Sequence, residues 1–333
     1  MAQLTILTVN QVEQIIVIGA GNWGIALASL FSKSLPVRVW AKDEAGAKTL
    51  IAASSAKTNQ NTANKPLTFE AKFGTDFDPT KTLVIIAVPS GQVRAVAREL
   101  RHHARAPLIL SVSKGFDAER QCTVSEIIKQ EIPEACVVVL TGPTIANEVA
   151  AGKPTRAVLA CENLMHLAMV KAALQNEVIA FEVSRSPTHH EILAALKGLV
   201  AIAAGIASGL DLGANIQGVL MTQGLRELAE VASFFGIPQT VAYGISGSGD
   251  LITTCISPDS RNRRLGVLLA KGRTLAAALE EVGMTVEGVA MSKTIETLWS
   301  LDVSIPLFHL VNALLSDRAP DVRTGMCNLI ASL

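Results

Sequence analysis

From Gln14 onward the chain alternates short β-branched runs with Ala-rich stretches of helical spacing. Ile15–Ile18, Val37–Trp40, Leu83–Val88, Leu108–Val112, Val137–Leu140 and Arg156–Ala160 are predicted as strands. Trp23–Ser34, Gln92–His102, Thr123–Gln130 and Leu164–Leu174 are predicted as the helices between them. Runs that are apolar on both faces and separated by helices imply a parallel sheet covered on both sides. Lys57–Lys65 is polar and is predicted as loop. After about Ser186 the strand signal fades. His189–Gly209, Asn215–Phe235, Ser260–Lys271, Thr274–Glu281, Glu287–Ser300 and Ile305–Leu315 all suit helices. The expected organisation is an arm at 1–13, an α/β doubly wound sheet domain at 14–188 and an all-helical C-terminal domain at 189–333.

Composition changes this picture in three places. Lys plus Arg equals Asp plus Glu at 29 each, which excludes the basic surface of a general nucleic-acid binder. Hydrophobic residues reach 49% and aromatics only 4%, so the core is expected to be built from Ala, Val, Leu and Ile. A mean hydropathy of +0.38 raises the question of a membrane. The most membrane-like stretch, Ile192–Leu210, carries Lys197 within it and is rich in Ala and Gly, which favours a buried helix of a soluble protein over a span. The five cysteines are scattered with no CxxC pair, and the six histidines show no HxxxH spacing, so neither a disulfide framework nor a metal site is expected. No basic region followed by a long apolar stretch opens the chain, and the expected location is the cytoplasm.

The clearest local motif is Gly19-Ala20-Gly21-Asn22-Trp23-Gly24, placed between a strand and a helix. Gly19 permits the tight turn, Gly21 lets the backbone approach a pyrophosphate, and Gly24 lets helix pack close to strand. This is the context a Rossmann-type dinucleotide site requires, with the helix N-terminus turned to the phosphates. The second strand ends in Trp40-Ala41-Lys42 rather than in an acidic residue. Lys42, with Arg38, suits the 2′-phosphate of NADPH, or else forms a solvated basic edge. NADPH is therefore favoured and NADH stays open.

Further motifs sit at strand ends, where open α/β sheets bind ligands. They are Ala87-Val88-Pro89-Ser90, Ser113-Lys114-Gly115 and Thr141-Gly142-Pro143-Thr144-Ile145-Ala146-Asn147-Glu148. The helical half adds Ala195-Leu196-Lys197, Gly247-Ser248-Gly249-Asp250-Leu251, Thr254-Cys255, Ser260-Arg261-Asn262-Arg263-Arg264 and Val286-Glu287-Gly288. In order and spacing this set resembles the NAD(P)-dependent glycerol-3-phosphate dehydrogenases of bacterial type, from about Gln14 to Leu315. The resemblance implies reversible hydride transfer between NAD(P)H and dihydroxyacetone phosphate, giving sn-glycerol 3-phosphate for phospholipid synthesis in a cytoplasmic homodimer. It places Lys197 at the catalytic position and, with it, Lys114, Gly142, Thr144, Asp250, Ser260, Arg261 and Asn262 at substrate positions. It places Asn22, Trp23, Lys42, Lys114, Ala146, Arg261 and Glu287, with the glycine turn, at cofactor positions. Two departures stand out: Gly198 replaces the family's Asn after the lysine, and the Tyr-Leu-Pro-Gly-like segment is not recognisable in Thr58–Leu67.

The residues support this chemistry on their own terms. Ketone reduction needs a proton donor and a group that stabilises the developing alkoxide, beside the hydride a cofactor supplies. Lys197 stands in a stretch otherwise free of charge, where lost hydration lowers an ammonium pKa; the alternative is a lysine that snorkels to the surface. Lys114 is either a second cation at the reacting carbonyl or an exposed loop charge. Asp250 is either the partner that orients Lys197 or a helix cap. Ser260 is expected to cap a helix whose N-terminus and Arg261 trap a phosphate, with Arg263 left as a solvated charge. Cys255 has no neighbouring histidine to activate it and reads as a small hydrophobe. The rivals are a hydroxyacid or ketopantoate-type reductase, and a non-catalytic NAD(P)H-binding redox sensor.

Overall fold

The computed structural model describes residues 11–41, 67–70, 77–117, 120–298, 304–316 and 321–332. The glycine turn joins strand β1 (Gln14–Ile18) to helix α1 (Asn22–Phe31), and β2 (Val37–Trp40) and β3 (Leu67–Glu70) follow. Next come β4 (Thr82–Ile86), α2 (Ser90–Arg101) and β5 (Leu108–Ser111). A two-stranded ribbon, β6 (Phe116–Asp117) with β7 (Cys122–Thr123), leads into α3 (Val124–Glu131). The sheet half closes with β8 (Cys136–Thr141), α4 (Ala146–Ala150), β9 (Thr155–Ala160), α5 (Leu164–Ala173) and β10 (Ile179–Ser184). The eight-stranded sheet has the order β10-β9-β8-β5-β4-β1-β2-β3.

Six of these strands, β8-β5-β4-β1-β2-β3, run parallel, as expected from runs apolar on both faces. Alternate residues feed two cores. Ile15, Val17, Val37, Val39, Leu83 and Ile85 face one side, and Ile16, Ile18, Val84, Ile86 and Ile109 face the other. The expectation of a wholly parallel sheet needs one correction. β9 pairs antiparallel with β8, and β10 follows β9 in parallel. Between β8 and β9 the chain makes only the short α4, too little to cross the sheet and return in the same sense. β3, β10 and the β6–β7 ribbon go beyond the strands the pattern predicts. β10 lies at the sheet edge with only Ile179 buried and Ala180, Glu182 and Val183 exposed, so it writes no continuous apolar run.

From Pro187 the chain is helical: α6 (Pro187–Gly209), α7 (Gly213–Phe234) and the short α8 (Gln239–Ala242), then a π turn at Ile245–Gly249. α9 (Asp250–Ile256), α10 (Arg261–Ala270), α11 (Leu275–Val282), α12 (Glu287–Leu298), α13 (Pro306–Leu315) and α14 (Val322–Ser332) follow. α8 and α14 go beyond the helices the pattern predicts, and α9 is the helix that the turn before Asp250 could begin. α6 forms the centre of this half. It is the apolar stretch that raised the membrane question, and 89% of its most apolar window is buried inside the protein. Every residue from His190 to Ala207 is buried. Its small residues let α10 approach to backbone contact: a Cβ on Gly266 would lie 2.0 Å from the Ile202 carbonyl oxygen, and one on Gly205 would lie 2.1 Å from that of Arg263. With few aromatics, closeness of helices replaces bulk of side chains in this core. Gly266→Ala is expected to force α10 away from α6 and lower unfolding free energy by about 3 kcal/mol, read from the denaturant midpoint.

Candidate active site

The C-terminal ends of the parallel strands carry the motifs, as the geometry of open α/β sheets requires. After β1, Gly19 adopts φ +114°, a left-handed value natural to glycine, while its N–H donates to the Trp40 carbonyl at 3.0 Å. α1 then starts with no side-chain cap and no acidic residue in its first turn. The backbone at its start is uncrowded, since a Cβ on Gly21 would meet nothing within 4 Å, and the first N–H groups of a helix have no partner within it. A dinucleotide pyrophosphate fits this uncapped, uncrowded helix end. Asn22 is exposed and Trp23 half-buried beside it. At the end of β2, Arg38 pairs with Glu70 of β3 at 3.2 Å, and the Trp40 indole donates to the same carboxylate at 2.8 Å. Arg38 is thus engaged with a carboxylate rather than free for a 2′-phosphate. Lys42 and the 57–66 segment lie outside the described residues.

The strongest charge arrangement joins three residues from three elements. Lys197 on α6 and Asp250 at the start of α9 are 5% and 2% exposed and form a direct ion pair. Lys114, after β5, reaches the same carboxylate oxygen of Asp250 at 3.0 Å and the Gly142 carbonyl at 3.3 Å. The snorkelling alternative for Lys197 is therefore excluded. Asp250 does not cap a helix either: the π turn runs into α9 without a break, and Gly249 before it is already helical. Burial pulls the Lys197 ammonium down to about 7, opposed by Asp250 and reinforced by the like charge of Lys114. Burial alone would raise the Asp250 carboxyl, but Lys114 and Lys197 together hold it below its ordinary value. The result is a buried lysine that can exchange a proton near neutral pH, beside a second cation that is 24% exposed.

Around this cluster the other predicted residues separate. Thr144 donates its hydroxyl to the Gly142 carbonyl at 3.1 Å, and Ala146 opens α4. Ser260 caps α10 through the Arg263 N–H, as expected. Arg261 donates to the Thr285 carbonyl at 2.8 Å and is half-buried. Asn262 accepts from the Gly288 N–H at 3.0 Å, next to Gly198. A Cβ at Gly198 would stand 3.2 Å from the Asn262 amide nitrogen and 3.1 Å from Gly288 Cα, so α6, α10 and α12 meet across the missing side chain. Arg263 needs correction: it is half-buried and donates to Ser208 of α6 at 2.8 Å, and Arg264 is the exposed member of the run. Helix spacing alone could not show that α6 passes on that side.

Nothing in the sequence singles out a role for Ser90, yet its N–H and hydroxyl donate to Glu287 at 3.2 and 2.7 Å, tying α2 of the sheet half to α12. Gly115 is required where they meet, because a Cβ there would lie 2.4 Å from that of Ser90. The signal was the Val88-Pro89-Ser90 motif, which marked the place and not the partner. Cys255 is 1% exposed, and burial pushes its thiol up to about 12, which removes it as a nucleophile. A cavity of about 360 Å³ lies elsewhere, lined by Phe116, Ile192, Leu196, Phe234 and Met291 among others, and none of the three charged residues lines it. Among the described residues no group of His, Cys, Asp or Glu could hold a metal ion.

Comparison with known proteins decides the family. The models for the N-terminus and the C-terminus of NAD-dependent glycerol-3-phosphate dehydrogenase match residues 14–167 and 188–322. The chain belongs to the NAD-dependent glycerol-3-phosphate dehydrogenase family. A family member from Fusobacterium nucleatum, glycerol-3-phosphate dehydrogenase [NAD(P)+], is 36% identical over 92% of this chain and 93% of its own. A second, from a Thermoanaerobacter species, is 34% identical over 84% and 86%. The crystal structure of glycerol-3-phosphate dehydrogenase from Coxiella burnetii superposes with a TM-score of 0.84 at 28% identity, covering 96% of this chain and 98% of that one. For this glycerol-3-phosphate dehydrogenase family member, the Rossmann-type sheet followed by a helical half is thus the family architecture, and NAD(P) is the cofactor.

Proposed function

We propose that the protein reduces dihydroxyacetone phosphate to sn-glycerol 3-phosphate, reversibly, with NADPH or NADH. Membership of the family supports the reaction. The observation that carries it in this chain is Lys197, buried on Asp250 and facing Lys114. Bound at the glycine turn, the cofactor supplies the hydride that the carbonyl carbon takes up. Lys197 donates a proton to the carbonyl oxygen as the C–O bond becomes an alcohol, and Asp250 keeps the neutral amine oriented afterwards. Lys114 stabilises the negative charge that builds on that oxygen. Arg261, with the N-terminus of α10, holds the phosphate, and Lys114, Gly142, Thr144, Ser260 and Asn262 line the substrate. Gly19, Gly21, Gly24, Asn22, Trp23, Lys42, Ala146, Arg261 and Glu287 form the cofactor surface.

The division into a cofactor domain ending near 188 and a substrate domain after it belongs to this reading, which puts the reaction where the two meet. A cytoplasmic homodimer that feeds glycerophospholipid synthesis is carried over from the resemblance. NADPH is the favoured cofactor, although the engagement of Arg38 with Glu70 leaves that preference to Lys42.

The deciding assay follows NADPH and NADH oxidation with dihydroxyacetone phosphate beside hydroxyacid-type ketones; turnover of the latter alone would overturn the proposal. Lys197→Ala is expected to lower kcat by ~10³, and a near-normal kcat would remove the assigned role. Because Lys197 must carry its proton for reduction, that direction should lose rate as pH rises through about 7, while oxidation gains rate over the same interval. Arg261→Ala should weaken binding of dihydroxyacetone phosphate far more than that of unphosphorylated dihydroxyacetone, and equal losses would contradict a phosphate role.

A further inference from the structure

Outside the cluster, one buried carboxylate crosses from the helical half to the sheet half. Glu191 on α6 is 3% exposed and accepts from both donors of Ser125, the N–H at 2.8 Å and the hydroxyl at 2.5 Å. Ser125 lies in the first turn of α3 and is itself 2% exposed. α3 already has a complete capping box, Thr123 with Glu126, so its start does not need Glu191 for a cap. A buried carboxylate is costly to desolvate, and here two short donor bonds hold it against a helix N-terminus. The contact joins elements of the two halves rather than finishing one of them.

Its place in the chain links it to the reacting groups. Ser125 follows Lys114 through the β6–β7 ribbon, and Lys197 follows Glu191 by under two turns of the same helix, a rise of ~9 Å. One residue earlier on α6, His190 bonds Ser246 of the π turn at 2.6 Å, and that turn runs directly into Asp250. The first turns of α6 are thus pinned in two directions. His190 fixes α6 against the turn that leads into Asp250, and Glu191 fixes it against α3, which comes after Lys114 and the β6–β7 ribbon in the chain.

We propose that Glu191 is a positioning residue of the reaction, holding α6 to α3 so that Lys197 stays in register with Lys114 across the two halves. This rests on the function proposed above. Glu191 touches no reacting atom and acts through the placement of Lys197, and a misplacement of an ångström at a reacting group is enough to cost turnover without costing binding.

The test is a cycle of Glu191→Gln, Ser125→Ala and the double variant, each compared with wild type for kcat, both KM values, NADPH affinity by fluorescence titration, and Tm. Glu191→Gln keeps the shape while placing an amide N–H against one of two donors, and Ser125→Ala removes one donor from the other side. Each single variant is expected to lower kcat about tenfold with KM and NADPH affinity within about twofold, and the double variant to fall no further than the worse single one. Wild-type kcat in Glu191→Gln overturns the proposal, as do additive losses in the double variant. A fall in kcat that tracks a loss of Tm and of NADPH-binding titre in both single variants overturns it too, because that is damage to the fold. An inactive wild-type enzyme in the same assay overturns the proposed function, and this inference with it.

Discussion

Two lysines share one carboxylate, and the rest of the molecule is arranged around that fact. Lys114 and Lys197 carry like charges and would repel in an apolar setting; Asp250, 2% exposed, lets them stand together. The balance is uneven. One anion faces two cations, and burial weighs most on Lys197, so the proton that leaves most readily is the one on its ammonium. A buried pair broken on one side leaves an uncompensated charge, which makes Asp250 the residue on which this arrangement turns.

The packing serves that arrangement. α6 carries Lys197 through the middle of the helical half, which requires a helix buried on nearly every face and neighbours close enough to exclude water. Small residues make this possible, because α10 and α6 touch backbone to backbone at Gly205 and Gly266. Carboxylates then fasten helix starts. Glu227 accepts from the Leu307 and Phe308 N–H groups at the start of α13, within the helical half. Glu287 and Glu191 do the same for α2 and α3 of the sheet half. N–H groups left free at a helix start are natural partners for such anions.

Much of this was legible in the sequence, and the limits are physical. The parallel strands show because burial on both faces writes continuous apolar runs, and the glycine turn shows because its three glycines answer three separate steric demands. The reversal at β9 does not show, because strand direction depends on how the chain returns and not on the strand's own residues. Lys197 stands out as a charge in an apolar helix, but its contact with Asp250 spans a long stretch of chain and no local pattern encodes it. Arg263, expected as a solvated charge, is instead half-buried on Ser208, since the path of α6 decides which guanidinium is covered. Ser90 with Glu287, and Ser125 with Glu191, are ordinary residues in sequence and become visible only as pairs.

Burial beside Lys114 leaves Lys197 able to exchange its proton near neutrality. The most direct measurement is an NMR titration of the protein labelled with 13C at the lysine ε carbon, the Lys197 signal being assigned by its loss in Lys197→Met. A midpoint near 7 is expected for Lys197. A midpoint at about 10, the value of an ordinary solvated lysine, would contradict it.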